Sequence, residues 1–174
     1  SAATSDGQGT LLSASGDEEA TAKAGNANSP IIAEAFGISL GAGADHVTND
    51  GTLTAGAVSS PTAQASTNSW PNHATSTATT YASAVAKGIV AGGGANVITN
   101  TGLIDISAWG HGNPIVDAWS RDDTADAHAT ADSIATAIGI EGQGGILNAS
   151  TGDIEVNARA TSYADADNRA EDTT

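Results

Sequence analysis

The chain has no cysteine and no methionine, one phenylalanine, two tyrosines, three tryptophans and only five basic residues among 174. Each shortage excludes something. Without cysteine there are no disulfides, thiolate metal sites or thiol nucleophiles. Bulky side chains are too few to fill the thick core of an ordinary globule of this length. Much of the 39% hydrophobic content is alanine, which suits a thin core. Twenty acidic residues leave a net charge of -15. That charge repels nucleic-acid phosphates and anionic membrane surfaces, and it favours solubility, salty surroundings or bound cations. No run approaches the roughly 18 apolar residues of a membrane span, so membrane insertion is not expected. Opening on SAATSDGQG without an initiator methionine, the chain reads as a mature product or an excerpt of something longer, secreted or held at a cell surface.

Glycine, by contrast, is abundant and periodic. GISLGAGADHVTNDG begins at Gly37, GIVAGGGANVITNTG at Gly88 and GIEGQGGILNASTG at Gly139, so both intervals are 51 residues. A fainter copy, GQGTLLSASGDEE from Gly7, resembles GQGGILNASTGDIE from Gly142. A fixed period of this size points to a stacked repeat architecture.

Aligned on Gly51, Gly102 and Gly152, the copies place Leu53, Ile104 and Ile154 in one row, Ala55, Ile106 and Val156 in the next, and Ala57, Ala108 and Ala158 in a third. Period-2 apolar spacing is the strand pattern. Ahead of the first glycine, Ala33 and Ala35 match Ala84 and Ala86, then Ala135 and Ala137. Alanine favours helices, but ADAHATADSIATAIGI alternates rather than following a 3.6-residue period, so it reads as strand. SSPT (59–62), NSWPNH (68–73) and GHGNP (110–114) read as turns. The long arm between glycine blocks fits either an extra coil or an extruded hairpin.

The expected fold is all-β, a β-solenoid of about three 51-residue repeats with partial end repeats. As one domain over 1–174 it divides into a partial repeat (1–32), repeats at 33–83 and 84–134, and an incomplete repeat at 135–174. Gly37, Gly51, Gly88, Gly102, Gly139 and Gly152 are the expected corners, where backbone needs positive φ and neighbouring chains pass closely. Asn49 and Asn100 are expected to form an internal amide ladder, interrupted in the third copy, where Ser150-Thr151-Gly152 replaces Asn-x-Gly.

The segments AFGISLGAGADHVTNDGTL and AKGIVAGGGANVITNTGLI resemble repeats in the passenger regions of autotransporter-like and haemagglutinin-like surface proteins of Gram-negative bacteria. The resemblance covers roughly residues 31 to 166. It implies a right-handed parallel β-helix projecting from a cell as an adhesin or fibre, and it carries no shared catalytic motif. A second resemblance, to the calcium-binding nonapeptide repeat, rests on Gly41, Gly43, Asp45 and Val47 and on Gly92, Gly94, Asn96 and Ile98. It departs from that pattern in its neutral Asn96 and its 51-residue period.

Acidic clusters occur at Asp17, Glu18 and Glu19, at Asp122, Asp123, Asp126 and Asp132, and at Asp165, Asp167, Glu171 and Asp172. The alternation of Asp165 and Asp167 puts two carboxylates on one strand face, so these two and Asp45 are the candidate calcium ligands, against the plainer reading of a solvated outer face. No other cofactor is implied. His46, His73, His111 and His128 lie at no zinc-ligand spacing. Arg121, Asp122 and Asp123 near His128 supply the group types of sugar acid–base chemistry, but in one copy only. Trp70, Trp109 and Trp119 are candidate glycan contacts or caps on the thin core. TSTATT would suit ice binding, again in one copy only.

The leading expectation is therefore a non-enzymatic extracellular protein, a subunit or segment of a surface filament or adhesin stalk stacking head to tail on itself, its surface open to glycans or host cells. Carbohydrate binding or processing on a β-helix face is the alternative. It requires the tryptophans and the Asp122 region to share one groove.

Overall fold

The computed structural model describes residues 2–5, 12–15, 18–69, 73–121 and 124–171. These form fourteen strands, with no helix among the described residues. The first pass of the chain holds β1 (Ala2–Ser5), β2 (Leu12–Ser15), β3 (Glu18–Ala24), β4 (Ile31–Ser39) and β5 (His46–Asn49). The second holds β6 (Thr52–Ser59), β7 (Thr62–Ser69), β8 (Ala74–Val90) and β9 (Asn96–Asn100). The third holds β10 (Leu103–Arg121), β11 (Ala125–Glu141) and β12 (Gly144–Asn148), and β13 (Asp153–Ser162) and β14 (Asp165–Glu171) begin a fourth.

Every strand pairs in parallel with its equivalent in a neighbouring pass. Leu103 lies beside Thr52, Ala125 beside Ala74, Ile31 beside Ala82 and His46 beside Val97, each an offset of 51. Three sheets result: an outgoing wall of seven strands, a returning wall of four (β3, β4, β8, β11) and a short third wall (β5, β9, β12). The long arm is thus no extruded hairpin, since both its limbs lie in parallel ladders. The one antiparallel contact among the described residues is the isolated Asn26–Ser29 bridge. It sits where the first pass carries five extra residues, because Glu18 pairs with Ala74 at an offset of 56 while Ile31 resumes at 51.

Alternation decides which side chains go inside. On β8, alternate residues from Ala74 to Ala86 are buried, and on β10 the even positions from Ile104 to Ser120 are. The rows expected from sequence are adjacent in register: Leu53, Ile104 and Ile154, then Ala55, Ile106 and Val156, then Ala57, Ala108 and Ala158. Ala33, Ala84 and Ala135 line up likewise. ADAHATADSIATAIGI lies within β11, as strand. Alanine is a poor strand former, and its presence follows from the closeness of the walls rather than from propensity.

GHGNP was expected to turn, yet β10 runs straight through it. Its glycines serve close approach instead. A Cβ on Gly110 would lie 2.5 Å from the Ile134 carbonyl oxygen on the opposite wall, and one on Gly112 would lie 2.8 Å from Thr80 Oγ1. Gly112 N–H donates to Ser133 Oγ at 2.9 Å, and Ser133 Oγ donates to the Thr161 carbonyl at 2.9 Å. This pinch separates two apolar clusters. One is built on Ile89, Ile98, Ile104 and Ile106, and the other is a small-residue cluster around Ala63, Ala65, Ala78 and Val116. SSPT makes only a two-residue break between β6 and β7, and Trp70–Asn72 of NSWPNH lie outside the described residues.

Candidate functional site

Two places concentrate polar chemistry. The first is the internal ladder at the corner between the third wall and the outgoing wall. Asn49 Nδ2 donates to Asn100 Oδ1 at 2.7 Å, and Asn100 Nδ2 donates to Asn148 Oδ1 at 2.8 Å. Each also reaches across to the pass above, Asn49 to the Leu103 carbonyl at 3.1 Å and Asn100 to the Asp153 carbonyl at 3.2 Å. Asn100 is fully buried.

Contrary to the expectation from sequence, the ladder is not interrupted in the third copy, because Asn148 supplies the missing rung. The third corner is three residues shorter, so Gly144 pairs with Asn96 at an offset of 48. Two extra residues then restore an offset of 50 at Leu103 and Asp153. Alignment on glycine hid Asn148; alignment on the motif Ile-x-Asn, shared by Ile98-Thr99-Asn100 and Ile146-Leu147-Asn148, would have found it.

The neighbouring corner is pinned by Asn96. Its Oδ1 accepts from Asp45 N–H at 3.0 Å, while Nδ2 donates to the carbonyls of Gly92 at 2.8 Å and Gln143 at 3.0 Å. One amide thus holds backbone in all three passes. This residue occupies the carboxylate position of the nonapeptide resemblance, and its bonding capacity is spent on backbone.

The expected glycine corners divide. Gly51, Gly102 and Gly152 do lie between the third and outgoing walls, but Gly37, Gly88 and Gly139 lie inside β4, β8 and β11. None of the six has positive φ, which occurs at Gly25, Gly43, Gly94 and Gly144. Close approach is what Gly37, Gly88 and Gly139 provide. A Cβ on Gly37 would sit 2.6 Å from the Gly88 carbonyl oxygen, and one on Gly139 would sit 2.6 Å from Ile154 Cγ2.

Of the proposed calcium ligands, Asp45 sits in the first corner, and its Oδ2 is buried with no hydrogen-bond partner. Asp165 and Asp167 lie on exposed β14, where Asp167 pairs with Arg169 at 2.7 Å. Asp45 is therefore in a corner of the first pass, apart from the two aspartates of β14. No group of three or more His, Asp or Glu that could hold a metal is present among the described residues.

The second place is the outer face of the outgoing wall. Trp109 and Trp119 both point outward from β10, ten residues apart, about 33 Å along an extended strand. Each neighbours an arginine in register, Arg159 on β13 and Arg169 on β14. Arg159 lies 5.5 Å from the Trp109 ring centroid, a cation–π distance. With Ser107, Ala108 and Asn157 they line an open cleft of about 250 Å³, and the tryptophan is 47% exposed. Arg159 was not foreseen; only the cross-strand register brings it to the ring.

Trp70, Asp122 and Asp123 lie outside the described residues. His73 comes within 3.7 Å of Asp126, and His111 Nδ1 lies 2.9 Å from Thr161 Oγ1. His128 is on the exposed face of β11 and His46 on that of β5, so the four histidines are dispersed. Comparison with protein-family models, curated proteins and solved structures gives no match to this chain.

Proposed function

We propose that the chain is a β-solenoid segment with a structural role, a piece of an extracellular filament or adhesin stalk that stacks head to tail on itself. The observation that carries this reading is the parallel pairing of successive passes in all three walls, at an offset of 51 residues or close to it. Core rows and amide bonds run along one axis, perpendicular to the strands, so a further layer meets the same row of partners as the layer before it. The small interior and the acidic exterior suit a slender soluble rod.

Electron microscopy and fibre diffraction of the purified chain test this. Stacking would give filaments with a reflection near 4.8 Å along the fibre axis and a subunit rise of about three strand spacings, roughly 14 Å. A monomer at every concentration and salt condition would refute it.

The Trp109 cleft favours a second reading, contact with a neutral glycan. An exposed indole face stacks on a pyranose ring, while Arg159 and Asn157 donate to its hydroxyls. Tryptophan fluorescence titrated with oligosaccharides, compared between the native chain and Trp109→Ala, tests it. Saturable quenching retained in the variant would place binding elsewhere.

A further inference from the structure

The chain is poor in aromatic residues, with six among 174, and poor in lysine and arginine, with five. Both kinds gather on the outer face of the outgoing wall. Burial alternates without a break along β10 from Ile104 to Ser120, so its odd-numbered residues all look outward from one strand. Trp109 and Trp119 are two of these, with Arg159 opposite the first and Arg169 opposite the second. One ten-residue step therefore separates two tryptophan–arginine pairs.

A third aromatic lies between them. Tyr163, in the short link between β13 and β14, donates its N–H to the Gly112 carbonyl at 3.0 Å and is 59% exposed. With Ser162 beside Gly112 and Asp165 beside Ile115, it stands about 13 Å along the strand from Trp109 and about 20 Å from Trp119. Half of the chain's aromatic residues thus follow one line. A ring left in water forfeits the burial that is its main contribution to stability, so three on one face need a cause outside core packing.

The charges along this line select the occupant. Arg159 lies against the Trp109 ring and forms no ion pair among the described residues, although the chain holds twenty carboxylates. Its donors are left for a ligand's oxygen atoms. Arg169 is held by Asp167 at 2.7 Å. Acidic pairs flank both tryptophans, Asp105 beside Glu155 and Asp117 beside Asp167. They repel a polyanion, while a polycation would meet an arginine at each indole. An uncharged chain with apolar ring faces and many hydroxyls suits every group on the line.

Resting on the reading of the Trp109 cleft above, we propose that the outgoing wall binds an extended, unbranched, uncharged glycan lengthwise along β10, with stacking sites at Trp109 and Trp119 and Tyr163 between them. The glycan lies parallel to the strands, across the axis of the stack. Because one strand sets both sites in line, the occupant is a glycan whose linkages keep its rings flat and extended, as β-1,4-linked hexoses do. The cleft of Ser107, Asn157 and Arg159 takes one end, and a ring stacked on Trp119 lies about 33 Å away. Two linked sites raise the affinity of any oligomer long enough to reach both, without a new kind of contact.

Titration calorimetry of the whole chain with β-1,4-linked glucose oligomers of increasing length tests this. Short oligomers should bind weakly, and affinity should rise in one step, at least about tenfold, once the extended oligomer spans about 33 Å. Trp119→Ala should bind short oligomers as the native chain does and lose the step, whereas Trp119→Phe, which keeps a flat ring, should retain it. The side chain lies on the outer face, and an unchanged circular dichroism spectrum checks that the strands are intact. The same oligomers oxidised to uronates should bind at least about tenfold more weakly at low salt. Short oligomers binding with no step in the native chain, or a step that survives in Trp119→Ala, would overturn the second site and leave the Trp109 reading standing. Tighter binding of the uronates would overturn the uncharged occupant. No binding of any oligomer would overturn the Trp109 reading and this inference with it.

Discussion

Replacing Asn100 by alanine tests the amide ladder at its middle rung. The side chain is fully buried and takes part in three hydrogen bonds, accepting from Asn49 at 2.7 Å and donating to Asn148 at 2.8 Å and to the Asp153 carbonyl at 3.2 Å. Each such bond contributes about 0.5–1.5 kcal/mol net, and all three meet at a side chain that is itself fully buried. The expected loss is about 3 kcal/mol. In a chain of this size that corresponds to a Tm lower by about 6–12 °C. Urea unfolding followed by far-ultraviolet circular dichroism, with thermal melts alongside, measures it. Asn148→Ala is the control. That rung is exposed and water can take its place, so about 1 kcal/mol is expected. A loss under about 1 kcal/mol at Asn100, or equal losses at the two sites, would refute the claim that the buried ladder holds the corner.

Other outcomes follow from the same geometry. Gly88→Ala puts a methyl group onto the Gly139 carbonyl and within 2.9 Å of Ile104 Cγ2 and Ile106 Cδ1, so a loss of about 1–3 kcal/mol is expected. Gly41→Ala meets nothing within 4 Å and should change stability by less than about 0.5 kcal/mol in the same melts. Lys87 and Glu141 pair at 2.6 Å on the surface, and Lys87→Ala should cost about 0.5 kcal/mol at low salt and nothing measurable at about 1 M salt. Residues 124–171 carry eight carboxylates against two arginines, a net charge of -6, and residues 22–51 carry three carboxylates against one lysine, a net charge of -2. Faces of the same sign should make assembly salt-dependent. The Debye length falls from about 30 Å at 0.01 M to about 3 Å at 1 M, below the strand spacing. Light scattering should show the concentration needed for assembly dropping at least about tenfold across that range, and a rise would contradict the assignment.

The sequence by itself determined the period, the strand character of the alanine-rich segments and which residues share a row. Those follow from local alternation and from the 51-residue spacing, both of which can be read without knowing what lies across the interior. It also pointed to Asn49 and Asn100. Only the tertiary structure decided the rest. Asn148 joins the ladder because a shortened corner and a lengthened one shift the register from 51 to 48 to 50, a compensation set by pairing and not by glycine position. Gly110 and Gly112 read as a turn because the same residue type serves both bending and close approach, and the opposing wall at Ile134 and Ser133 lies more than twenty residues away in sequence. Arg159 reaches Trp109 across a strand boundary fifty residues distant. What depends on period is written along the chain. What depends on one wall meeting another exists only once the walls are built.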